Sequence, residues 1–97
     1  MANFARETLI RNIKVVNEKV AISGILVLIE NEFCLIDDGT STAKAFFTDL
    51  NFPLGSYIRI FGIVVSLDNG IEIQADLVQD LSKIDKILHR RVKELLE

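Results

Sequence analysis

Two phenylalanines and a lysine carry the chemistry this sequence offers. Between Phe33 and Phe46 lies Asp38-Gly39-Thr40-Ser41, a tight-turn sequence that folds the segment back on itself. With these four residues as the turn, Asp37 faces Thr42, Leu35 faces Lys44 and Phe33 faces Phe46. Side chains alternate along strands, so Phe33, Leu35, Lys44 and Phe46 share the outward face, and Cys34, Ile36, Ala43, Ala45 and Phe47 point inward. Two aromatic rings beside a cation on a solvent-facing hairpin could serve as stacking platforms for unpaired bases, with an ammonium near their phosphates. Arg59, outward on a later strand, is a second phosphate candidate. A slip of one residue in the pairing would turn both rings inward as ordinary core.

The other reactive side chains read as structure. Asp37 and Asp38 are adjacent, so on a strand end they point to opposite faces, and Asp before Gly forms turns. Cys34 reads as a small buried hydrophobe. His89 falls near the polar side of a helical stretch, with no carboxylate, serine or metal constellation around it. The chain has no glycine-rich phosphate loop, no metal-spaced His/Cys cluster and no nucleophile motif. The expectation is a protein that is not an enzyme and has no cofactor or metal.

Ninety-seven residues, 49% of them apolar and one a proline, describe a single globular domain with a modest core. The net charge of −3 is unevenly spread. Residues 80–97 hold five bases against four acids, whereas residues 1–79 hold six against ten, a body of −4. Strong independent binding of a polyanion would call for the reverse. A single cysteine excludes an intramolecular disulfide, no apolar run approaches the length of a membrane span, and MANFARETLIRN lacks the apolar centre of a signal peptide. An intracellular location follows as the expectation, cytoplasmic in a prokaryote and nuclear in a eukaryote, with no membrane partner.

Taken in order, residues 1–12 form an N-terminal arm or helical turn, 13–79 a barrel and 80–97 a helix. Ile13, Val15 and Val16 begin extended structure, and Asn17-Glu18 turns the chain into a long strand from Lys19. There Val20, Ile22, Gly24, Leu26 and Leu28 alternate with Ala21, Ser23, Ile25, Val27 and Ile29. Both faces are apolar beyond Gly24, so something must cover the outer one. Strands 32–37 and 42–47 form the hairpin. Another, 57–67, puts Ile58, Ile60, Gly62 and Val64 inward and Tyr57, Arg59, Phe61 and Ile63 outward, with Tyr57 and Phe61 expected against the N-terminal arm or a partner. Asp68-Asn69-Gly70 returns the chain into a fifth strand, Ile71, Ile73 and Ala75 inward, Glu72 and Gln74 outward.

From Ser82, which stands three residues before Asp85 in capping-box spacing, the pattern becomes helical. Leu81, Ile84, Leu88, Val92 and Leu95 fall on one stripe, flanked by Ile87 and Leu96, with Arg91 on the Ile87 side. Half a cylinder of apolar surface suits assembly with a partner through Ile84, Ile87, Leu88, Arg91, Val92 and Leu95. It could also cover the apolar outer half of the first long strand.

Val20-x-Ile22-x-Gly24, Ile36-Asp37-Asp38-Gly39-Thr40 and Leu54-Gly55-Ser56-Tyr57-Ile58-Arg59-Ile60-Phe61-Gly62 together resemble an oligonucleotide/oligosaccharide-binding (OB) fold across roughly residues 13–78. The expected class is all-β, a five-stranded OB-fold barrel with a C-terminal amphipathic α-helix. A lone barrel followed by such a helix is similar to the small subunits of replication protein A-like complexes and of the related telomere-capping pair. The resemblance implies terminal helices that bundle with larger OB-fold subunits, and single-stranded DNA lying on the hairpin face with modest affinity for this chain alone. Two other readings stand beside it: a structural interaction module with no nucleic-acid contact, which the acidic body favours, and an RNA-binding OB protein, which would carry more Lys and Arg.

Overall fold

The computed structural model describes residues 6–47 and 50–82. They form β1 (Arg6–Glu7), a 3-10 turn (Ile10–Asn12), β2 (Lys19–Ile29), β3 (Phe33–Asp37), β4 (Thr42–Phe46), β5 (Tyr57–Ser66) and β6 (Ile71–Asp80). The strands lie in the order β1-β2-β3-β4-β6-β5, and β5 pairs again with β2. Five strands therefore close a barrel, and the two-residue β1 runs parallel to β2 at Val20 and Ala21. The five expected strands are all present. The expected C-terminal helix, and with it Ile84, Ile87, Leu88, Arg91, Val92, Leu95 and His89, lies outside the described residues.

Closure depends on β2, which serves two neighbours. Lys19 to Ile25 pair with β5, and Ile25 to Ile29 pair with β3. At the changeover sits Gly24, where a Cβ would meet the Asp37 carbonyl and the Ile36 side chain at less than 3 Å. Gly62 occupies the matching position in β5, pressed against the backbone of Gln74 and the side chain of Ile73. Both strands bend where a side chain has no room.

Val20, Ile22, Leu26, Cys34, Ile36, Ala43, Ala45, Ile58, Ile60, Val64 and Ile73 fill the interior, and Ile10 and Ile13 join them from ahead of the long strands. The stretch read as extended from Ile13 to Val16 forms no strand: Ile13 is buried while Val15 and Val16 are exposed. Asn17 then turns the chain at φ 69°, a left-handed conformation that asparagine tolerates.

The alternation expected along β2 breaks near its end. Pairing steps from Leu26 opposite Ile36 to Leu28 opposite Leu35, which leaves Val27 as an extra residue. Simple alternation puts Leu28 inward and Ile29 outward, but the bulge shifts the phase, so Leu28 stands exposed and Ile29 packs against the core.

Cys34 is fully buried, and desolvation pushes its thiol up from 9.0 to about 12. An unfolded chain releases that proton near pH 9 and the folded one holds it to about pH 12, so the folded state binds more protons in between and stability falls as pH rises through that window. The unfolding free energy from urea titration is expected to decline more steeply from pH 9 to 11 in the native sequence than in Cys34→Ala, by at most about 1.4 kcal/mol per pH unit. Equal slopes would show that the thiol is not the group responsible.

Candidate nucleic-acid interface

The hairpin that carries the candidate site is fixed from its turn. Asp37 Oδ1 accepts from the Gly39 N–H at 2.7 Å, and Gly39 takes a φ of 88°. Asp38, only 7% exposed, does more. Its Oδ1 accepts from the N–H groups of Thr40 (2.9 Å) and Ser41 (3.2 Å) and from the Thr40 hydroxyl, while Oδ2 accepts from the Ile10 N–H at 2.8 Å. The Thr40 hydroxyl oxygen in turn accepts from the Arg11 N–H at 3.3 Å. The turn therefore sets the hairpin and also clasps the N-terminal segment that plugs the core. Turn propensity at Asp38 is legible in the sequence; its reach to Ile10, twenty-eight residues away, is not.

With the turn held, the register of β3 on β4 is Asp37 opposite Thr42, Leu35 opposite Lys44 and Phe33 opposite Phe46, as the sequence predicts. Cys34, Ile36, Ala43 and Ala45 are buried, and Phe33, Leu35, Lys44 and Phe46 are half-buried on the outer face. The two ring centroids stand 6.1 Å apart with the planes tilted by 57°. Lys44 Nζ lies 4.3 Å from the Phe33 centroid and 5.7 Å from that of Phe46. A cation over a ring face is attracted by the quadrupole, worth roughly 0.5–1 kcal/mol at an exposed site, so the three side chains brace one another.

Neighbouring strands widen this surface. The bulge in β2 sets Leu28 beside Leu35, and the parallel pairing of β4 with β6 sets Glu72 beside Lys44 and Gln74 beside Phe46. Gln74 Nε2 also donates to the Phe46 carbonyl at 3.2 Å. Sequence reasoning placed Glu72 and Gln74 outward without showing which strand they would adjoin. That needs the β4–β6 contact, which no local signal encodes.

Arg59 does not join the face. Its Nε lies 3.5 Å from Glu7 Oε2 and 3.4 Å from the Ser23 hydroxyl, and a terminal nitrogen donates to Gln79 Oε1 at 3.2 Å. Gln79 and Gln74 are five residues apart on β6, about 16 Å along a strand, and only the latter adjoins Phe46. Arg59 instead anchors β1, since Glu7 Oε1 also accepts from the Ser23 hydroxyl at 3.0 Å. Tyr57 is buried in the same neighbourhood, and its hydroxyl is pushed up by burial and then by the Glu7 carboxylate, which fits the expected packing against the N-terminal arm.

Charge on the candidate face is thus one ammonium with a carboxylate at its side. Such a surface can stack flat groups but attracts a phosphate chain weakly. Among the described residues no group of three His, Cys, Asp or Glu side chains is placed to hold a metal ion, and no helix is long and apolar enough to cross a membrane.

Sequence comparison finds no matching family model and no matching curated protein. Comparison of structures does find matches. A chain of the S. pombe Stn1-ten1 complex superposes with a TM-score of 0.79 at 16% identity, over 99% of this chain and 94% of that one. The telomere capping protein Ten1 from Saccharomyces pombe gives 0.69 at 15% identity, over 86% of this chain and 85% of its own. A chain of U. maydis replication protein A bound to single-stranded DNA gives 0.65 at 19% identity, over 82% of this chain and 76% of its own. The barrel is therefore an OB fold resembling those of replication protein A-like and telomere-capping assemblies.

Proposed function

We propose that this chain is a non-catalytic, intracellular OB-fold subunit of a replication protein A-like or telomere-capping complex, working on single-stranded DNA in replication or repair. It meets the DNA through Phe33, Leu35, Lys44 and Phe46 and joins larger OB-fold subunits through Ile84, Ile87, Leu88, Arg91, Val92 and Leu95. The observation that carries the DNA contact is the outward Phe33–Lys44–Phe46 cluster, two ring faces with a cation between them on an otherwise closed barrel. Unpaired bases can stack on such rings, whereas in a duplex their faces are already covered by their neighbours. Arg59, paired with Glu7, supports the arm and is dropped from the interface.

Fluorescence anisotropy with a labelled oligothymidine at low salt tests this. The Phe33→Ala, Phe46→Ala double variant is expected to bind roughly thirty-fold more weakly, at about 1 kcal/mol per ring, the lower end for base–aromatic stacking. Undiminished binding by the double variant would remove the stacking claim. The acidic body favours the second reading, a module serving protein contacts alone. Failure of the native chain to bind the oligothymidine, alone or with a co-purifying partner, would select it.

A further inference from the structure

The barrel leaves an apolar patch uncovered at the point where the chain leaves it. Val27 is 45% exposed, Leu28 37% and Leu54 62%. Val27 and Leu28 occupy the bulged end of β2, beyond its last partner in β5, and Leu54 is brought to them because Gly55 N–H donates to the Leu26 carbonyl at 2.8 Å and Leu26 N–H to the Ser56 carbonyl at 3.0 Å. A substantial part of each of these three side chains stays open to solvent.

The exit point lies close by. Leu81 is 6% exposed and its N–H donates to the Tyr57 carbonyl at 2.8 Å, so the first member of the apolar stripe of residues 81–95 is already seated on the barrel. β6 and β2 both run antiparallel to β5, which begins at Tyr57. The end of β6 leading into Leu81 therefore runs in the same direction as the Leu26–Ile29 segment, two strand spacings away across β5, about 10 Å. Residues 83–97, as a helix, would extend some 22 Å, which is ample. Their stripe continues from Leu81 through Ile84 and Leu88 with helical spacing, and their cations Lys83, Lys86, Arg90, Arg91 and Lys93 suit the exposed Glu30 and Glu32 that follow the patch.

We propose that in the free chain residues 83–97 fold back as a helix onto Val27, Leu28 and Leu54, so that a partner must displace the segment from its own barrel before assembling with it. The segment thus has two alternative docking sites, one within the chain and one on the partner. The proposal rests on the assembly reading of residues 84–95 and not on the stacking of bases: neither Phe33 nor Phe46 takes part, although Leu28 borders their face beside Leu35.

Limited trypsin digestion of the full chain tests it, at concentrations where light scattering shows a monomer, with mass spectrometry following cleavage after Lys83, Lys86, Arg90, Arg91 and Lys93. Burying one such side chain is worth about 1.4 kcal/mol or more, so Leu54→Asp and Val27→Asp should each speed tail cleavage about tenfold over the native chain. Val15→Asp, at an exposed valine elsewhere, should leave it unchanged. Equal rates in the native chain and Leu54→Asp, or equal acceleration by Val15→Asp, would overturn the proposal. Protection that fades on dilution would assign the cover to a second copy and overturn it as well. An unreactive Cys34 thiol verifies that each variant keeps its barrel; should Val27→Asp fail that check, Leu54→Asp at its open loop position decides alone.

Discussion

Asp38→Ala is expected to lower stability by about 3–5 kcal/mol, a large share of the 5–15 kcal/mol that holds a domain folded. The carboxylate accepts from three backbone N–H groups and one hydroxyl, and it is nearly inaccessible to water. Hydrogen bonds to a charged group contribute about 1.5–3 kcal/mol each, and donors left unpaired in a buried place cost further. Loss at the turn alone would be moderate. The Ile10 N–H raises the figure, because releasing it also loosens Ile10 and Ile13 from the core they plug. Asp38→Asn keeps one acceptor oxygen but turns an amide donor toward either the Thr40 and Ser41 N–H groups or the Ile10 N–H, so it should fall between the native chain and alanine. Urea unfolding with an unchanged m-value would measure both, and a loss under 1 kcal/mol for Asp38→Ala would mean that the clasp contributes little.

A comparable effect is expected at Gly62. The Cβ of an alanine there would overlap the Gln74 carbonyl oxygen and the Ile73 side chain and come within 3.0 Å of the Ala75 Cα. Backbone cannot move aside as a flexible side-chain tip can, so β5 and β6 would have to part at the place where Gly62 opposes Ala75. About 2–4 kcal/mol of destabilisation follows, at or above the usual range for overpacking. Gly70→Ala provides the contrast. Open space surrounds that position, and only its φ of +90° resists a side chain, so the loss should be nearer 1 kcal/mol. If thermal denaturation ranked the two the other way, crowding of the strand backbones would not be what requires Gly62.

The β3–β4 register could be read from the sequence because two local rules agree there. Asp-Gly chemistry fixes the turn, and alternation from that turn fixes which side chains face out; Phe33 opposite Phe46 follows from nothing else. The same alternation fails in β2, where one extra residue at Val27 reverses Leu28 and Ile29, since a bulge depends on how the partner strand bends rather than on composition. Arg59 read as a phosphate candidate because it is a cation at an outward position of its strand. Its commitment to Glu7 required β1, and a two-residue parallel strand has no periodicity to detect. Asp38 was legible as a turn-former and illegible as a clasp for the same reason: its local bonds are encoded by neighbours, its distant one by the whole fold.

The side-by-side pairing of β4 with β6 has a kinetic consequence. Ala43 meets Ile71 across twenty-eight residues, and no shorter connection can complete the ring. Contacts this remote in sequence are slow to form, typically on the millisecond-to-second scale. During synthesis the Ala43–Phe46 edge, with one row of unpaired backbone N–H and C=O groups and an aromatic on its face, therefore waits unsatisfied until the last strand has cleared the ribosome. That interval is when the nascent chain is most exposed to joining another of its kind.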